Sequence, residues 1–142
     1  MGKAFGRKFM QDERLIREAI KARGKAYAPY SKFRVGAALL TKNGKVYTGA
    51  NVENSSYGLS MCAERVALFG AVGSGEKEFS KLAIVADTKE PITPCGACRQ
   101  ILLEFCDDLE IISATVKRKV KRFTLKELYP FPFKRNSVVR GF

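Results

Sequence analysis

The stretch Leu82-Ala83-Ile84-Val85-Ala86, followed after a short polar loop by Pro94-Cys95-Gly96-Ala97-Cys98-Arg99-Gln100-Ile101-Leu102, decides the fold. Five consecutive apolar residues between polar flanks are expected of a central strand covered on both faces. The segment from Cys95 to Cys106 then has helical character. Ile101, Leu102 and Phe105 are predicted to face inward, and Cys106 to be a buried thiol rather than a ligand. A strand that passes by a short loop into a helix is a unit of an open α/β sheet, where sites form outside the carboxyl ends of strands.

Working outward from this unit, residues 34–40 and 46–52 form two more predicted strands, joined by a tight hairpin turn at Asn43-Gly44. Residues 62–71 are predicted to be helical, burying Val66, Ala67 and Phe69 and ending at Gly73-Ser74-Gly75. Near the N-terminus, Leu15, Ile16, Ala19 and Ile20 recur at helical spacing across residues 11–23, and Gly24 supplies a stop. A loop over residues 27–33 leads into the first strand. Downstream, residues 110–116 and 120–123 are strands, and Thr124 caps a short helix, 125–128, with Glu127 completing a capping box. The chain then enters an aromatic, Pro-rich tail, Pro130-Phe131-Pro132-Phe133. The order predicts an α/β fold in which a mixed sheet of about five strands is covered by helices, a three-layer sandwich forming one domain over residues 1–142.

The sequence has 142 residues and four cysteines, with no His. No apolar run approaches a membrane span and the first residues lack a secretory signal, so the expectation is a soluble, cytoplasmic protein with reduced thiols. The net charge is +12, unevenly spread. Residues 1–35 carry ten Lys/Arg against three acids, residues 36–116 seven against ten, and residues 117–142 nine against one. Such ends attract polyanions, including nucleic acid, but their basic residues are dispersed among apolar ones and favour a solvated surface.

The chemistry lies in Cys62-Ala63-Glu64 and Cys95-Gly96-Ala97-Cys98. A Cys-x-x-Cys pair can point two thiolates at one tetrahedral zinc, and Cys62 can supply a third sulfur. Cys106 lies eight residues beyond Cys98, roughly 12 Å along a helix, so it cannot share that ion. Three protein ligands and an open position for water make a catalytic site, whereas four make a structural one. A lone Cys-x-x-Cys also fits a redox pair or half of a structural zinc knuckle. With no His, Glu64 is the candidate for proton transfer. Arg65 and Arg99 each directly follow a motif, and with the N-termini of two helices either could offset thiolate charge.

Cys62-Ala63-Glu64 followed by Pro94-Cys95-Gly96-Ala97-Cys98-Arg99-Gln100 resembles the small, all-cysteine cytidine deaminases of the cytidine/deoxycytidylate deaminase superfamily, from about Tyr27 to Gln100. The resemblance implies one zinc per subunit on Cys62, Cys95 and Cys98, with Glu64 moving protons between the attacking water, N3 of cytosine and the departing amine. It also implies that Phe33 lines the sugar side of the pocket, that Asn51 and Glu53 bind ribose, that backbone at Ala63 reads the base, and that Arg65 balances thiolate charge. It further implies a homotetramer with shared active sites, in which Tyr57 and a tail ring, Phe133 or Phe131, come from neighbouring subunits. The implied reaction is deamination of free cytidine and deoxycytidine in pyrimidine salvage. Deamination of a nucleoside antibiotic, deamination within RNA or DNA, and a non-catalytic zinc-stabilised nucleic-acid-binding domain are the competing readings.

Overall fold

The computed structural model describes residues 2–134. Five strands form one sheet in the order β2-β1-β3-β4-β5. They are β1 (Val35–Thr41), β2 (Val46–Ala50), β3 (Phe79–Ala86), β4 (Glu110–Thr115) and β5 (Val120–Thr124). Only β3 and β4 run parallel; the other pairings are antiparallel, so the sheet is mixed. The predicted central strand is central, and all but one of its eight residues are buried.

Helix α1 (Gly2–Arg23) covers one face of the sheet, inserting Leu15, Ile16 and Ala19 against Ala38, Leu40, Ala83, Val85 and Ile112. It begins well before the predicted residue 11, because residues 2–10 contain no Pro and only one interior glycine to break it. Its orientation is fixed by a charged triad that the apolar periodicity did not reveal. Buried Asp12 accepts from Lys81 Nζ of β3 at 2.8 Å and from Arg122 Nη2 of β5 at 3.0 Å. Arg122 is half exposed and Lys81 also faces Glu110 at 3.7 Å, so Asp12 is the member whose loss leaves most charge uncompensated, at a cost of up to about 3–5 kcal/mol.

Helices α2 (Ala63–Gly73) and α3 (Gly96–Phe105) cover the opposite face, with the short α4 (Leu125–Leu128) beside them. Three layers result, as predicted. In α2 the buried residues are Ala63, Glu64, Ala67, Leu68 and Ala71. Leu68 rather than Phe69 therefore faces the sheet: Phe69 is 45% exposed and Val66 only half-buried, a correction that follows from the helix's phase. Leu102 of α3 is fully buried, while Ile101 and Phe105 pack at its margin. The Asn43-Gly44 turn and the Thr124 cap both form, with Gly44 at φ +89° and Thr124 Oγ1 accepting from Glu127 N at 3.2 Å. The predicted capping box is only half formed, because the Glu127 carboxylate accepts from the Thr124 hydroxyl at 3.1 Å rather than from its backbone N–H. Among the described residues no helix is long and apolar enough to cross a membrane.

This arrangement sets the place of the site. Val35, at the start of β1, pairs with Ala86, at the end of β3, and Gly36 pairs with Ala50, at the end of β2. Strand ends and the N-termini of α2 and α3 thus meet at one edge of the sheet.

Candidate metal centre and pocket

Cys62 and Cys95 are the N-cap residues of α2 and α3, and Cys98 lies buried one turn into α3. Both caps have extended backbone and make no side-chain capping bond, so their sulfurs are free to turn toward each other. The three Sγ atoms lie within 4.8 Å of one another, with Cys62–Cys95 at 3.8 Å and Cys95–Cys98 at 3.5 Å. Thiolates at Zn–S distances of about 2.3 Å on a tetrahedral ion stand about 3.8 Å apart, so these donors fit zinc. Cys106 is buried elsewhere, and burial pushes its thiol up to about 11.

The electrostatics also call for a cation. A hydrogen bond from the Cys98 thiol, with Arg65 and Cys95 assisting, holds the Cys62 thiol down at about 5. Cys98 is driven the opposite way, keeping its proton because it donates to Cys62 and because it is buried. Three thiols so close cannot all ionise unless positive charge is supplied. Arg65 supplies part: its Nη2 donates to Cys62 Sγ at 3.2 Å. Its Nε is buried with no partner among the described residues.

Arg99 does not share this task. Its Nε donates to the Pro94 carbonyl at 2.8 Å, Nη2 to Thr93 Oγ1 at 2.9 Å and Nη1 to the Leu128 carbonyl at 2.6 Å. The expectation that either arginine could balance the thiolates is thus corrected in favour of Arg65, because closer carbonyl acceptors capture Arg99.

A cavity of about 410 Å³ opens over the sulfurs, lined among others by Phe33, Asn51, Glu53, Cys62, Ala63, Glu64 and Cys95. Glu64, at the second position of α2, is 5% exposed, and burial raises its carboxyl above the ordinary range. A carboxyl of raised pKa beside a metal-binding cluster is suited to giving and taking protons near neutral pH. The first N–H group of α2, at Ala63, has no helical partner and can bind a carbonyl oxygen.

A model of the cytidine and deoxycytidylate deaminase zinc-binding region matches residues 10–114, most of the chain. The chain belongs to this deaminase family. A cytidine deaminase from Halalkalibacterium halodurans is 50% identical over 125 residues, spanning 87% of this chain and 95% of the relative. One from Sporosarcina psychrophila is 47% identical over 130 residues, spanning 91% and 96%. The crystal structure of a cytidine deaminase from Burkholderia pseudomallei superposes with a TM-score of 0.83 at 49% identity, covering 85% of this chain and 98% of that one.

Within the deaminase framework, Asn51 and Glu53 do more than their position two apart suggested. The segment they occupy is stitched on both sides: Val52 exchanges backbone bonds with Met61 (2.9 and 2.8 Å), while Tyr27 N donates to Asn51 O and Glu53 N to Tyr27 O, each at 2.9 Å. Asn51 Oδ1 accepts from Val35 N at 2.8 Å and its Nδ2 donates to Phe33 O at 2.8 Å. Glu53 Oε1 accepts from Tyr30 N and Ser31 N at 3.0 and 3.1 Å, and Oε2 accepts from the Ser31 hydroxyl. The bond from the Ser31 hydroxyl, aided by the two backbone donors, lowers the Glu53 pKa. Both side chains therefore hold the 27–33 loop, and with it Phe33, while still facing the cavity. Sequence reasoning also missed Ser60, Met61, Ile92 and Thr93 in the lining. The last two lie in the loop between β3 and α3, where the α/β site rule could have found them.

Tyr57 and Phe133 stand apart from the cavity of their own chain. Tyr57, 73% exposed, meets Tyr30 edge-on at 5.5 Å across an adjoining hollow of about 280 Å³. Phe133 is 77% exposed, and Phe131 more so. The basic tail beyond residue 134 lies outside the described residues.

Proposed function

We propose that this chain, acting as one domain over residues 1–142, hydrolyses free cytidine and deoxycytidine to uridine and deoxyuridine with release of ammonia, a reaction of pyrimidine salvage in the cytoplasm. The observation that carries the proposal is the convergence of three thiols beside buried Glu64 at the floor of a cavity walled by Phe33, Asn51 and Glu53. The family match and the cytidine deaminase relatives support the same reading.

Cys62, Cys95 and Cys98 would hold one zinc per subunit, which when bound supplies the Lewis acidity that makes water a nucleophile near neutral pH. Glu64 takes the proton of the attacking water and delivers it to N3 of the base, so that C4 gains oxygen as its bond to N3 loses double-bond character. Glu64 then moves a proton to the 4-amino group, and the C4–N bond breaks to release ammonia. The N–H group at Ala63 binds the pyrimidine carbonyl. Phe33 lies along the sugar, while the remaining amide hydrogen of Asn51 and the free lone pair of Glu53 take ribose hydroxyls. Both groups keep hydrogen-bonding capacity that sugar hydroxyls satisfy, which favours substrates carrying the sugar. A nucleotide brings its 5′-phosphate toward the Glu53 carboxylate and meets no phosphate clamp. The exposure of Tyr57 and Phe133 supports a homotetramer in which each ring completes a neighbour's pocket, Phe133 being preferred to Phe131 because its backbone is anchored.

The test is the ultraviolet change on adding cytidine to zinc-loaded protein, with Glu64→Gln at equal zinc content. Glu64→Gln is expected to lose at least about 10² to 10⁴ in kcat, the range for a proton-transfer group. Full activity in that variant, no turnover in zinc-loaded wild type, or equal turnover of cytidine and its 5′-monophosphate would refute the proposal.

A further inference from the structure

Of the three candidate ligands, Cys95 has the least local support. It is exposed, it caps α3 from a loop, and among the described residues its backbone carbonyl is held only by Arg99 N, at 3.0 Å. Cys62 instead follows Met61, which is laddered to Val52, and Cys98 is buried in the body of α3. What fixes the loop before Cys95 is the Arg99 guanidinium, whose three nitrogens bond the Pro94 carbonyl, the Thr93 hydroxyl and, 29 residues downstream, the Leu128 carbonyl. The next residue extends the link. Gln100 Nε2 donates to the Phe133 carbonyl at 2.9 Å, its Oε1 accepts from the Tyr129 hydroxyl at 2.6 Å, and that hydroxyl accepts from Phe133 N at 3.3 Å. Residues 128–133 lie beyond the span of 10–114 that matches the family model.

We infer that Arg99 is a positioning residue for the metal centre, holding Cys95 in register with Cys62 and Cys98 by bolting the Thr93-Pro94 loop to the end of α4. Metal retention thereby depends on the C-terminal segment 128–133, with Gln100 and Tyr129 as its second fastening. The planar fork of arginine is needed, since it meets acceptors on two elements in fixed geometry, whereas lysine offers a single nitrogen. This inference rests on the zinc reading of the three cysteines.

The experiment is titration of the full-length apoprotein with cobalt(II), read by the visible absorption of tetrahedral cobalt–thiolate, alongside the Tm of the apo and metal-loaded forms. Arg99→Lys is expected to weaken cobalt binding about 10- to 100-fold, as for other groups that orient metal ligands. Tyr129→Phe, which removes only the bridging hydroxyl, is expected to weaken it several-fold, and Arg118→Gln, remote from the site, to leave it unchanged. In Arg99→Lys the metal-loaded Tm should fall more than the apo Tm. Wild-type cobalt affinity in both Arg99→Lys and Tyr129→Phe, or equal Tm losses with and without metal, would overturn the inference alone. Absence of a tetrahedral cobalt spectrum in the wild type would overturn the zinc reading and this inference together.

Discussion

Gly49 of β2 is a point of close approach between the sheet and the helix that carries Glu64 and is capped by Cys62. A Cβ added there would lie 2.5 Å from Ala67 N, 2.6 Å from Ala63 O and 3.0 Å from Val66 Cβ, all in the first turns of α2. Moving Ala67 N from 2.5 Å to an ordinary contact of about 3.4 Å requires a shift of about 0.9 Å. Gly49 is paired to Ala37 of β1, so much of that shift falls on the N-terminus of α2. Overpacking of this kind costs about 1–3 kcal/mol, which in a chain of this size lowers Tm by roughly 3–12 °C. A catalytic group misplaced by about 1 Å can lose about 10²-fold in rate, so Gly49→Ala should lose activity out of proportion to its stability. Gly36 of β1 provides the control. Its added Cβ would lie 1.9 Å from Ala19 O and 2.7 Å from Arg23 N, a worse overlap, but against α1 on the opposite face. Gly36→Ala should therefore cost at least as much Tm while its folded fraction keeps nearly wild-type kcat. The assay is kcat and metal content of both variants well below their Tm. Wild-type kcat in metal-loaded Gly49→Ala, or equal kcat losses in the two variants, would refute the argument.

Two further outcomes follow from the charges around the pocket. Hydrogen bonds from Ser31 and Tyr30 keep Glu53 ionised below the ordinary carboxylate pKa of 4.5, so its hold on the 27–33 loop is complete above that value and is lost only as pH falls through the lower, folded pKa. Equilibrium dialysis of uridine should accordingly show affinity unaffected by Glu53 protonation down to about pH 4.5, and weaker, less pH-sensitive binding in Glu53→Gln; equal affinity in that variant would count against both roles of Glu53. Arg65→Gln removes a hydrogen bond and a charge that favour the Cys62 thiolate, so its thiol should rise from about 5 and metal uptake should need higher pH. Cobalt titrations at several pH values check this, with about 10- to 100-fold weaker binding expected near neutrality and an unchanged pH profile as the contrary result.

The parts of this fold that could be read from sequence are those whose cause is local. The apolar run at residues 82–86 needs only its own residues to declare a covered strand, and the Cys95/Cys98 spacing works because one helical turn returns the chain to the same side. Cys62 and Glu64 are legible together for the same reason. The two arginines mark the limit. Arg65 stands three residues from Cys62 and Arg99 four from Cys95, both within reach of a sulfur by helix geometry alone. What separates them is competition among acceptors: Leu128 O, brought in from a distant turn, together with Pro94 O and Thr93 Oγ1 claims Arg99, while Arg65 keeps its sulfur. Asp12 with Lys81 and Asn51 with Val35 are illegible for the same cause, since each bond requires the sheet to be assembled first. The dependence runs in both directions. Asn51 spends half and Glu53 three quarters of its side-chain hydrogen-bonding capacity on the loop that carries Phe33 and its junction with β1, so the groups proposed to recognise the sugar also hold the wall against which it would lie. Pre-organisation of that kind reduces what must be ordered on binding, which is why a substitution at either position should weaken nucleoside binding beyond the loss of one hydroxyl contact.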